Sequence, residues 1–113
     1  MLHFQKVDVY QRSIDFLALA HSLRGRLPKG HADLADQLRR FAQSIPQNIA
    51  EGCGRTTRAD KAKHYTIARG SAMECAAHLD VMRVDELIEV DLYERGMGLL
   101  ERVVSMLTKL IDP

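Results

Sequence analysis

A chain of 113 residues makes one domain, residues 1–113, with room for a real hydrophobic core. Its 46% hydrophobic content includes no Trp, three Tyr and three Phe, so the core must be mostly Leu, Ile, Val, Ala and Met, and no β-branched run with period-two alternation supports a sheet. A net charge of +1 argues against a chain that is basic all over, and two cysteines without a CxxC pair cannot form a zinc site by themselves.

The first predicted helix runs over 7–26. Val9, Ser13, Phe16, Ala20, Leu23 and Leu27 recur at spacings of three and four, with Tyr10, Ile14 and Leu17 beside them. Leu27-Pro28-Lys29-Gly30 breaks it, because Pro disfavours helix in the residue before it. The second helix is expected over 32–51, on Leu34, Leu38, Phe41, Ile45 and Ile49. Pro46 falls inside it and predicts a bend, since Pro lacks a donor and clashes with the preceding turn. Gly52-Cys53-Gly54 is expected to end this helix with a left-handed cap.

Thr57 reads as the N-cap of a third helix over 58–84. Ala62, Tyr65, Ala68, Ala72, Cys75, Leu79 and Met82 form its apolar row. Gly70 in mid-helix costs about 1 kcal/mol relative to Ala, which suggests a packing reason for it. After a link that retains Leu87, Ile88 and Val90, a fourth helix is expected over 91–111, on Leu92, Gly96, Leu99, Val103, Leu107 and Leu110. Four amphipathic helices with short links predict an all-α fold, an antiparallel up-down four-helix bundle. Leu38, Phe41, Ile45, Leu79, Leu99 and Val103 are its expected core.

No nucleophile signature, phosphate loop or cofactor motif accompanies these helices. Glu51, Glu74 and His78 do not match the ExxH pairs of a di-metal bundle, and no metal site is expected. The chain therefore reads as non-enzymatic, with no cofactor. Lys6, Asp8, Arg12 and Asp15 argue against a signal peptide, and no run of about 18 apolar residues spans a membrane, so a cytoplasmic location is expected.

Charge is unevenly spread. Residues 39–69 carry Arg39, Arg40, Arg55, Arg58, Lys61, Lys63 and Arg69 against Glu51 and Asp60, a net +5. Residues 74–101 carry eight acidic side chains against Arg83 and Arg95, a net −6. Two unlike surfaces on one chain suit a head-to-tail contact between identical copies. The apolar energy for it would come from the wide stripe of the first helix, Val9, Tyr10, Ile14, Phe16, Leu17 and Leu19. The alternative is RNA or DNA binding through Arg55, Arg58, Lys61 and Lys63, which phosphate contacts would need.

Gln37-Leu38-Arg39-Arg40 and Ser44-Ile45-Pro46-Gln47-Asn48-Ile49-Ala50-Glu51-Gly52-Cys53-Gly54-Arg55 form one distinctive block, and Ala68-Arg69-Gly70-Ser71-Ala72-Met73-Glu74 another. Together they resemble the 23S rRNA intervening-sequence protein family, four helix bundle proteins, and are similar to the accessory proteins of diversity-generating retroelements. That resemblance implies a homopentameric ring, no established enzymatic activity, and as partners other copies of the chain, nucleic acid or a nucleic-acid enzyme. It marks Arg39, Arg40, Pro46, Asn48, Glu51, Gly52, Arg55, Arg69, Gly70 and Glu74 as motif positions. Their expected role is structural: Glu51 or Glu74 pairing with Arg39, Arg55 or Arg69 to lock the second helix to the third.

Overall fold

The computed structural model describes residues 1–113. A 3-10 turn at His3–Lys6 leads into four helices: α1 (Asp8–Arg24), α2 (Ala32–Gly54), α3 (Arg58–Val84) and α4 (Val90–Ile111). There is no strand. Thr57 does cap α3, its side chain accepting the Asp60 N–H at 3.1 Å. No helix is long and apolar enough to cross a membrane.

The end of α2 departs from expectation. Gly52, Cys53 and Gly54 stay helical, and the one glycine with a left-handed backbone is Gly30, in the turn after α1. Lys61, in the first turn of α3, explains this. Its ammonium donates to the carbonyls of Gly52 and Cys53 at 3.3 and 3.2 Å. The carbonyls at the end of α2 thus find donors without a glycine reversal. Gly52 matters for its missing side chain instead. A Cβ there would lie 2.5 Å from Cε1 of Tyr65, whose ring packs against α2. The helix also continues unbroken across Pro46, which is buried.

Each helix packs on two neighbours: α1 on α2 and α4, and α3 on α2 and α4, while α1 and α3 are not neighbours. Contacts run in opposite order along adjoining helices. Along α2 and α3, Gly52 meets Lys61, Asn48 meets His64, Ser44 meets Ser71 and Gln37 meets His78. Along α3 and α4, Arg69 reaches Thr108 and Asp80 meets Tyr93. The molecule is 45 × 23 × 20 Å, about two helix diameters across.

Phe16, Leu38, Ile45, Leu79, Val103 and Leu107 lie fully inside. Two expected core residues do not. Leu99 is half-buried and Leu100 takes its place, because Gly96, Leu100, Val103 and Leu107 keep a four-three-four spacing towards the centre. Leu99 sits about 70° round the helix from the centre of that row. Phe41 is half-buried too, its ring 5.5 Å from that of His78 at the rim between α2 and α3. Between α3 and α4 the chain turns on Glu86 (φ 58) and seats Ile88 as a plug under the core. This is why the link carries apolar residues.

Candidate functional site

The two motif blocks meet along one seam. Ile45 and Ile49 of α2 and Ala68, Ala72 and Cys75 of α3 fill its apolar side, all wholly buried. Beside them runs a ladder of polar contacts. The Ser71 hydroxyl donates to Ser44 Oγ at 2.8 Å. The Asn48 amide donates back to the Ser44 carbonyl at 2.9 Å and presents its oxygen 3.5 Å from His64 Nδ1. His78 donates from Nδ1 to the Glu74 carbonyl at 3.0 Å, with Nε2 3.3 Å from the Gln37 side chain. Neutral hydrogen bonds and small side chains therefore join α2 to α3.

The expected charged lock is absent. Glu51 pairs with Arg55 at 2.6 Å, four residues on along its own segment, and both are exposed. Glu74 is exposed, and none of the chain's ion pairs includes Glu74, Arg39, Arg40 or Arg69. Arg69 instead donates to Thr108 Oγ1 at 3.2 Å, tying α3 to α4. Residue spacing alone could not show this, because an Arg side chain reaches either neighbour of its helix. Gly70 overturns a second expectation. It is exposed, and a Cβ there would meet nothing within 4 Å, so no packing inside the chain requires it.

The basic residues around the α2–α3 turn are unequally free. Arg55 is engaged by Glu51, and Lys61 holds the end of α2. Arg58 and Lys63 are exposed and make no ion pair. The acidic stretch lies at the far end of α3 and the start of α4. Arg55, Arg58, Lys61 and Lys63 thus lie at one end of a 45 Å bundle and Asp85, Glu86, Glu89 and Asp91 at the other, while Arg39 and Arg40 sit near the level of Glu74.

Cys75 is a poor nucleophile. Burial, then the Glu74 charge, pushes the Cys75 thiol up to about 12. Cys53 is half-buried, its sulfur 3.6 Å from the Tyr65 hydroxyl. Burial, then the contact with Cys53, pushes that phenol up to about 12. Such shifts keep both protons in place, the reverse of what an activated nucleophile requires. No three His, Cys, Asp or Glu side chains are grouped to hold a metal ion.

Apolar surface is the feature that bundle closure leaves unexplained. Between α3 and α4 lies an open groove of about 270 Å³, lined by Ala72, Met73, Ala76, Met97, Leu100 and Val104. On the outward side of α3, Ile67 is 44% exposed, Met73 53%, Val81 50% and Val84 82%. The sequence does not flag this second stripe, because the inner row of small residues draws the eye to the other side of the same helix. On α1 the wide stripe is mostly consumed: Val9, Phe16 and Leu19 are buried, while Ile14 remains exposed beside half-buried Tyr10 and Leu17.

Comparison with known proteins follows the same lines. The family model described as 23S rRNA-intervening sequence protein matches residues 5–109. A solved structure from Bacteroides thetaiotaomicron, a protein of unknown function from the S23 ribosomal protein family, is similar in fold. Its TM-score is 0.85 at 24% sequence identity, covering 93% of this chain and 99% of that one. No curated protein matches.

Proposed function

The chain belongs to the 23S rRNA-intervening sequence protein family, and on that premise we propose that it is a non-enzymatic assembly module, an up-down four-helix bundle that associates with copies of itself into a ring. The observation that carries this reading is the apolar surface left exposed after the core has closed, above all on α3. Exposed apolar residues gathered on one helix face are what an association surface requires. The charged ends would steer and orient the encounter, since exposed ion pairs contribute only about 0–1 kcal/mol each. Five copies is the number that the family resemblance suggests, and cytoplasm the location that the sequence suggests. Light scattering coupled to size exclusion tests the reading. At micromolar concentration the mass is expected near five chains; a mass of one or two chains refutes the ring.

Nucleic-acid binding is the second reading, favoured by Arg58 and Lys63, which stay free of partners at the basic end. Arg55 and Lys61 would contribute less, being engaged within the chain. On this reading, RNA or duplex DNA binds at low ionic strength and is released steeply as salt rises, because neutralised phosphates give up counterions. Arg58→Ala with Lys63→Ala is expected to weaken that binding more than Arg55→Ala with Lys61→Ala. Absence of binding at low salt removes the reading.

A further inference from the structure

We infer that the outward face of α3 in one copy packs lengthwise against α1 of the next copy, the two helices running in the same direction. This rests on the assembly reading above and adds the surface, the partner helix and the orientation.

Three observations lead there. The first is position. α1 and α3 are the pair that do not adjoin within the bundle, so they sit at opposite corners and look away from each other. A head-to-tail contact needs two such unlike surfaces on one molecule, both free at once. The second is the seam itself. Ile67, Gly70, Glu74, Ala77, Val81 and Val84 follow at spacings of three, four, three, four and three, one outward stripe about 25 Å long at helical rise, apolar except for the exposed Glu74 at its middle, with Met73 beside it. Gly70 has no neighbour of its own there, which leaves room for a foreign side chain close to the helix axis.

The third observation is the order of charge. At the end of the bundle where α1 and α3 both finish, the α3 side carries Asp85, Glu86 and Glu89, while Arg83 lies over the Tyr93 ring and Asp80 is held by the Tyr93 hydroxyl of α4. The α1 side carries Arg24, Arg26 and Lys29. Arg24 is held 3.2 Å from Asp36, but Arg26 and Lys29 are exposed and make no ion pair. A same-direction pairing sets these basic residues beside a neighbour's acidic ones. An opposite-direction pairing would set them beside Arg58 and Lys63, like against like. At the other end Asp8 and Asp15 are already bridged by Arg12, so they add little to the choice.

The levels agree with this. A Cβ on Gly96 would meet Leu79 of α3 together with Leu19 and Phe16 of α1, which puts those residues at one height in the bundle. Both helices rise equally from that height. Taking Leu19 as level with Leu79, Ile14 stands level with Glu74 beside Met73, Ala18 with His78 beside Ala77, and Arg26 with Glu86. Copies related by rotation about an axis along the bundle keep these levels, so the exposed apolar residue of α1 meets the seam of the next copy.

Cysteine cross-linking of the full chain tests the contact, with light scattering on the same samples. Ala18 and Ala77 are exposed, so Ala18→Cys and Ala77→Cys should both fold. Under mild oxidation the double variant is expected to give a ladder of disulfide-linked multimers, and each single variant only the background of the parent chain. A covalent dimer from Ala77→Cys alone would show α3 meeting α3 across a two-fold axis and overturn the inference. An oligomeric mass without the ladder overturns it too, while leaving the assembly reading intact; a monomeric mass overturns both. Reversing charge at Arg26→Glu and Lys29→Glu is expected to weaken assembly by roughly tenfold. Adding Asp85→Lys and Glu86→Lys to that variant should recover it, and failure of this rescue counts against the orientation.

Discussion

Leu38→Ala should lower the unfolding free energy by about 2–5 kcal/mol, since it deletes three carbons from a site that cannot collapse. Leu38 is 1% exposed and belongs to the same buried core as Ile45, Ile49 and Leu79. Its neighbours are held on α2 and α3, which are fixed to each other by the Ser44–Ser71 and Asn48–His64 contacts. Leu99→Ala is the control. Leu99 packs on the edge of the core with one side in solvent, so its loss should be nearer 1 kcal/mol. Urea unfolding at one fixed protein concentration measures both, because association of copies shifts apparent stability by mass action. Equal losses at the two sites would contradict the placement of Leu100, rather than Leu99, in the core.

Two glycine substitutions should have opposite signs. Gly52→Ala is expected to destabilise by about 1–3 kcal/mol, as overpacking does, in spite of a helix-propensity gain near 1 kcal/mol. The new methyl would sit 2.5 Å from Cε1 and 2.8 Å from Cδ1 of Tyr65. The ring cannot swing aside easily, being buried with its hydroxyl against Cys53. Gly70→Ala meets nothing and should stabilise the bundle by about 0.4–1 kcal/mol, through lost freedom in the unfolded chain. The pair is read by the same urea titration. If Gly52→Ala proved neutral, the close packing of Tyr65 on α2 would be wrong.

Much of this molecule is legible from residue spacing. Three- and four-residue intervals placed all four helices, and Thr57 announced the start of α3, because periodicity and capping are local consequences of helix geometry. The inner rows of α1 and α3 followed the same rule: Val9, Ser13, Phe16, Ala20 and Leu23 are buried as spaced, and so are Tyr65, Ala68, Ala72, Cys75, Leu79 and Met82. The limit shows in α4, where Leu99 and Leu100 are chemically identical and adjacent. Only the direction in which the other three helices lie decides which of them is inside.

The motif was legible as a block but not as a set of contacts. Glu51, Arg55, Arg69 and Glu74 stand close in sequence or on neighbouring helices, and opposite charges invite pairing. Long exposed side chains, however, are free to choose among several partners of similar energy. Tertiary packing sent Arg69 to Thr108 and Lys61 to the end of α2, and it left Glu74 in solvent. The sequence by itself determined four amphipathic helices, their order and most of their inward faces, because those depend on neighbours three and four residues away. The tertiary structure decided which carbonyls Lys61 caps, why packing within the chain requires Gly52 to be small and makes no such demand of Gly70, and which apolar residues of α3 stay in water. Each of those depends on a helix more than a few residues distant, whose position no local spacing encodes.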